Sequence, residues 1–214
     1  MSVESDSTKI YCFQVTNLTQ RQLSILQRIG PFFTEVVARE ILMPLVNQTS
    51  GISLRALDWL VTNYSKKNNI VCKTRNNTLF NIYHGYKIAL AHFRRRNFDP
   101  FRRRQRIVVL GENGTDVICE STVGQCNFLY WSYTHGVLSY AIENSQAIEN
   151  DMNHASAINK AERRKQKQQG VPHRRRELSS APPNKCSVYQ IDTCVNFECM
   201  GGSDSEDEEG KEST

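Results

Sequence analysis

Seven arginines fall between positions 94 and 106: Arg94, Arg95, Arg96, Arg102, Arg103, Arg104 and Arg106, with no lysine among them. A guanidinium presents a planar fork that bonds two phosphate oxygens at once and can stack on a base, which an ammonium cannot do. The run is interrupted by NFDPF at 97–101, which sets Phe98 and Phe101 close to Pro100. Either ring could stack a base or anchor the turn to a core. Anchoring is the expectation, because aromatic residues beside a proline turn usually pack inward. A second basic group comprises Lys160, Arg163, Arg164, Lys165 and Lys167, followed by Arg174, Arg175 and Arg176. Two such groups joined by a short linker match a nuclear-import address as well as a phosphate clamp, and the chemistry of the two is the same.

Charge runs are most often solvated faces or helix ends, and Arg94–Arg96 would suit a helix C-terminus electrostatically. Three arginine triplets on one chain are harder to assign to solvation alone. The formal charge of +5 also hides a division: residues 203–214 carry six acids against Lys211, a net of −5, which leaves about +10 on the remainder. A body that basic is surrounded by a field that draws anions. The expected ligand is therefore nucleic acid, DNA or RNA, held by its phosphates. Were six to ten arginines to meet phosphates, affinity would fall by roughly 10³–10⁵ between 50 and 200 mM salt. No zinc-finger spacing, zipper heptad or RNA-recognition aromatic motif accompanies them, so nothing here reads base sequence. A helix-turn-helix built on Ser53–Tyr64 and the helix before it, with Gly51 in the connection, stays open.

Other constellations carry less. Cys186, Cys194 and Cys199, with His173 as a fourth donor, invite a zinc reading, but they lack a CxxC knuckle and the residues between them look like strand. His84 and His92 lie eight residues apart and could share a helix face. No nucleophile elbow, phosphate loop, HExxH or paired carboxylates occur, and GENG at 111–114 is better read as a hairpin turn. The expectation is a protein that is not an enzyme, with no cofactor and no metal. The tail SDSEDEE at 203–209 sets serines ahead of acids, a context that acid-directed kinases favour. It either folds back on the arginines and competes with nucleic acid, or only solubilises the chain.

The elements that must hold these groups read as follows. Ile10–Val15 alternates as a strand. Thr19 caps a helix carrying Leu23, Leu26 and Ile29; Gly30 and Pro31 punctuate it, and Pro31 opens a second helix to Leu42 that Pro44 ends or kinks. Ser53 caps a helix through Tyr64, Ile70–Thr74 is a strand, and a long helix after Thr78 ends in Arg94–Arg96. Arg106–Leu110 and Thr115–Glu120 form a hairpin, and Ser121 or Thr122 starts a helix reaching Ile142. The fold class is α+β, a helix-rich single domain with a small antiparallel sheet and disordered charged tails. Its expected divisions are a disordered 1–9, a mixed α/β core at 10–145, a basic helix and linker at 146–185, a docking strand at 186–200 and an acidic disordered tail at 201–214.

Seven scattered cysteines, an odd number, suit a reducing compartment, where they stay thiols; Cys12, Cys72 and Cys119 have surroundings that favour burial. Residues 1–9 are too polar and acidic for a signal peptide, and no apolar run reaches the roughly 18–20 residues of a membrane span. The expected location is cytosol or nucleus, with no membrane as partner.

The stretches ISLRALDWLVTNYSKK at 52–67, RNFDPFRRRQRI at 96–107 and TVGQCNFLYW at 122–131, with RRELS at 175–179, resemble an uncharacterised protein family of large nucleocytoplasmic DNA viruses, the marseillevirus, mimivirus and iridovirus groups. The resemblance spans roughly 50–200. It carries no activity and no functional residue across. What it implies is context: a host cytoplasm with its viral factory, or the host nucleus, with packaging into the virion as a further option. The two functions expected on this footing are a non-enzymatic, nucleic-acid-binding viral protein, and a structural or assembly protein whose arginines meet an acidic viral protein.

Overall fold

Hydrogen-bonding side chains set most of the helix starts. The computed structural model describes residues 8–15 and 17–168. Strands β1 (Thr8–Ile10) and β2 (Phe13–Val15) form a tight hairpin where one strand was expected. The turn falls at Tyr11, whose φ of 53° lies in the left-handed region. Helix α1 (Gln20–Ile29) opens on Thr19, whose hydroxyl accepts from the Gln22 amide while the Gln22 side chain accepts from the Thr19 amide.

Pro31 lies in a single 3-10 turn (Gly30–Phe32) rather than opening a helix, and Thr34 caps the next one. That helix runs as α2 (Glu35–Val37), a π-helical turn (Ala38–Leu42) and α3 (Met43–Val46). The widened turn passes the Met43 amide to the Ala38 carbonyl and lets Pro44, which has no amide hydrogen, follow without ending the helix. After Asn47–Ser53 the Ser53 hydroxyl accepts from the Ala56 amide and starts α4 (Leu54–Trp59), continued by a π-helical stretch (Leu60–Tyr64) and α5 (Ser65–Asn68). Seven residues in that connection exceed the three- to four-residue turn of a helix-turn-helix.

The small hairpin of β3 (Val71–Lys73) and β4 (Leu79–Asn81) takes Leu79 out of the helix expected to begin there. Asn81 caps α6 (Ile82–Phe93), which starts three residues later than expected, its side chain accepting from the His84 amide. A 3-10 turn (Arg95–Asn97) leads to β5 (Arg106–Leu110), which pairs with β2 on one side and with β6 (Val117–Thr122) on the other. The four-stranded sheet is antiparallel in the order β1-β2-β5-β6.

Thr122 caps α7 (Val123–Thr134), and Gly136 breaks it from α8 (Val137–Glu143), where one helix was expected. Gly136 has φ 72°, and a methyl group there would collide with the Lys73 carbonyl oxygen. The break follows from that close approach. Helix α9 (Ser145–Gln168) buries Ile148 and Met152, so the apolar contact continues past 145.

The fold is α+β and helix-rich, with a core in which Phe13, Leu26, Leu57, Leu60, Phe98, Ile107, Phe128 and Leu129 are all buried to 2% exposure or less. Among the described residues no helix is long and apolar enough to cross a membrane. The expectations for 1–7 and 169–214, including the zinc ligands, the docking strand, Arg174–Arg176 and the acidic tail, lie outside the described residues.

Candidate nucleic-acid interface

The loop that carries the arginines, 94–105, begins and ends on residues with left-handed φ: Arg94 at 64° and Gln105 at 59°. Such conformations cost of order 1–3 kcal/mol each and persist only where the surroundings over-determine them. Here they do. The Asp99 amide donates to the Gly124 carbonyl at 3.3 Å, and the Thr122 hydroxyl donates to the Arg102 carbonyl at 3.2 Å. Gln125 Nε2 donates to the Pro100 carbonyl at 2.8 Å, and Asn127 Nδ2 to the Asn97 carbonyl at 2.9 Å. Gly124 leaves room for this contact, since a methyl group there would press on Arg102 Cβ and the Arg96 carbonyl. Two of the stretches quoted above, 96–107 and 122–131, are therefore one structural unit.

Phe98 and Phe101, both expected to anchor the turn, divide. Phe98 is 1% exposed and packs on the rings of Phe93, Tyr86, Phe128 and Trp131. Phe101 is 46% exposed, and it has no ring partner among the described residues. Its amide is held by Asp99 Oδ1 at 2.8 Å, which sets the loop tip.

A cleft of about 360 Å³ opens beside this tip, lined by Arg55, Arg102, Arg103 and Arg106, with Glu120 the acid among its lining residues. Gln48, Ser53, Ser121, Thr122 and Gln125 are its other polar lining residues. Arg106 Nη1 pairs with Glu120 Oε2 at 2.6 Å. Arg103 is exposed and has no ion pair among the described residues. Arg102 Nε is buried and has no hydrogen-bond partner there. Arg55 was not singled out from sequence. Its signal was legible all the same: a cation in the first turn of a helix faces the positive end of the dipole, a placement that structure alone does not reward.

A second cleft of about 290 Å³ adjoins the first through Pro100 and Phe101, which line both. Its other walls include Asp58, Lys66, Tyr83, Tyr86, Lys87, Arg95 and Asp99. Burial pushes the Asp58 carboxyl up to about 6, with Asp99 adding to the rise and Arg95 opposing it. Tyr86 is pushed up to about 12, again chiefly by burial. Arg95 Nε lies 3.6 Å from Asp99 Oδ2.

The predicted arginines are thus sorted rather than gathered. Arg102, Arg103 and Arg106 line the first cleft and Arg95 the second, while Arg94, Arg96 and Arg104 are exposed outside both linings. Arg96 donates to Gln105 Oε1 at 3.2 Å. Arg163, Arg164 and Lys165 are exposed on α9 and line neither cleft; Lys167 belongs to the same helix.

Among the described residues no group of three or more His, Cys, Asp or Glu side chains could hold a metal ion. His84 and His92 are exposed on α6. Burial pushes the Cys72 and Cys119 thiols up to about 11 and Cys126 to about 12, the last bonded to Ser121 Oγ at 3.4 Å, which leaves them poor nucleophiles. Cys12, expected to be buried, is half-buried.

A family of unknown function, DUF7197, matches residues 7–213. An uncharacterised protein, L507, of Acanthamoeba polyphaga mimivirus is 30% identical over 194 residues, which cover 85% of this chain and 72% of that protein. No solved structure matches the chain. Both matches agree with the resemblance to an uncharacterised family of large nucleocytoplasmic DNA viruses.

Proposed function

The chain belongs to the DUF7197 family of unknown function, and we propose that it is a non-enzymatic, nucleic-acid-binding viral protein that grips phosphates in the cleft of Arg55, Arg102, Arg103 and Arg106. The observation that carries this reading is Arg102 Nε, a buried donor without an acceptor on the wall of a cationic cleft. An unsatisfied buried donor costs about 1–3 kcal/mol. A phosphate oxygen in the cleft would supply the missing acceptor once the Arg102 side chain turns outward, and three further guanidiniums stand around the same space. Its place of action on this reading is the viral factory of the host cytoplasm or the host nucleus.

Four cleft arginines engaging phosphate give a log–log salt slope of about −3 to −4, shallower than the whole set of arginines would give. Fluorescence anisotropy of a labelled oligonucleotide across 50–200 mM salt measures it. Replacing Arg102 and Arg103 together by alanine should reduce the slope by about 2 and weaken binding for every sequence. A salt-insensitive complex, or one that survives this double substitution, rejects the reading in favour of an assembly protein that meets an acidic protein partner.

A further inference from the structure

The two clefts meet at one exposed ring, and this relationship distinguishes among nucleic acids. We infer that the preferred ligand is an unpaired strand, with phosphates in the arginine cleft, one base stacked on Phe101 and its edge directed into the second cleft. The inference rests on the phosphate-binding reading of the first cleft and adds the state of the bases.

Phe101 is the first ground. The need for an aromatic anchor in this loop is met by Phe98, whose ring is buried against four others. Phe101, three residues on, contributes little to that core, yet its amide donates to the Asp99 carboxylate and pins the main chain from which the ring projects. A large ring left in water beside arginines is the composition of a stacking platform, because every base has a face to stack and none need be chosen.

The second ground is the change of charge across the ring. Three of the four arginine-cleft cations have no acid opposite them in that cleft, Glu120 being paired with Arg106. In the second cleft Asp58 and Asp99 stand against Lys66, Lys87 and Arg95, so the charge there is nearly balanced. Carboxylates repel phosphate but accept from the N–H groups of a base edge, and Tyr83, Tyr86 and Asn63 add further donors and acceptors. Its volume of about 290 Å³ is close to the small end of ligand pockets, about 300 Å³. A duplex keeps its bases stacked inside; it would use the first cleft and leave the ring and the second cleft empty. An unpaired strand uses all three.

The test titrates full-length protein against a labelled thymidine 20-mer and against a 20-base-pair duplex, by anisotropy at fixed low salt. The strand should bind more tightly than the duplex. Phe101→Ala should weaken strand binding by about 5- to 150-fold, the range for loss of one stacked base, and leave duplex binding in place. Phe101→Trp should retain the preference, which separates stacking from damage to the loop. Equal binding of strand and duplex, or an equal response of both to Phe101→Ala, overturns the inference and leaves the phosphate reading standing. If neither probe responds to the Arg102 and Arg103 substitutions, both readings fall.

Discussion

Arg106 Nη1 lies 2.6 Å from Glu120 Oε2 across the β5–β6 ladder. In the register Arg106 opposes Thr122 and Val108 opposes Glu120, so the two side chains are diagonal neighbours on one face of the sheet. Their side chains are 59% and 54% exposed, and a pair so wet contributes about 0–1 kcal/mol to stability. Its larger effect is on the cleft both residues line, where the carboxylate holds back one of four cations.

Glu120→Gln should therefore strengthen polyanion binding by roughly two- to fivefold at low salt, with the gain fading as salt rises. The melting temperature should stay nearly constant. Unchanged affinity at 50 mM salt would show that Arg106 takes no part in binding.

Asp58 predicts a pH dependence of stability. Its folded carboxyl titrates at about 6, above the unfolded value of about 3.9. Between those values the folded state binds more protons, so this group's contribution falls as pH rises from about 4 to 6 and is level above. Asp58→Asn should abolish that descending limb and melt about 2–5 °C higher than the parent at pH 7.5. Thermal melts from pH 4 to 8 decide it; a variant with the parent's profile excludes Asp58 as the source.

Gly136→Ala should be costly. The residue sits at φ 72°, and the added methyl meets the Lys73 carbonyl. Denaturant midpoints should show a loss of about 2 kcal/mol or more with an unchanged m-value. A loss below about 0.5 kcal/mol would mean that β3 moves aside freely.

Helix α9 is fastened by Asp151, which accepts from the Trp59 indole at 2.9 Å and from Lys67 at 2.7 Å. Burial raises this carboxyl, but the bonds from Lys67 and Trp59 and the charges of Lys67 and His154 outweigh it and hold it below the usual range. The group's stabilisation is therefore present above the unfolded value of about 3.9 and is lost as pH falls through the lower folded value. Asp151→Ala leaves the indole of a buried Trp59 without an acceptor and should cost about 1–3 kcal/mol at pH 7. The difference between variant and parent should shrink on acidification; a constant difference would assign the effect to packing alone.

Local chemistry made most elements legible. The capping hydroxyls of Thr19, Ser53 and Thr122 and the 106–122 hairpin follow from side chains and turns close in the chain. What escaped depends on distant partners. Leu79 opens the apolar stripe that runs to Phe93, but pairing with Lys73 makes it strand. The break at Gly136 exists because β3 passes beside it, a fact no window on 121–142 contains. The core contacts of α9 rest on Ile148 and Met152, and the one further large apolar residue of the helix, Ile158, is 46% exposed, too sparse a stripe to stand out. In the site, the arginine density was plain and its partition was not: Phe98 and Phe101 are equivalent in sequence, and only the docking of 96–102 on Gly124 decides which ring goes inward.

That docking has a thermodynamic corollary. A segment stapled to the opening turns of α7 through its own carbonyls has already surrendered its torsional freedom when the chain folds. Capture of a ligand then has little left to organise on the protein side, and calorimetry should record a small heat-capacity change, with encounter rates governed by electrostatic steering rather than by a slow rearrangement.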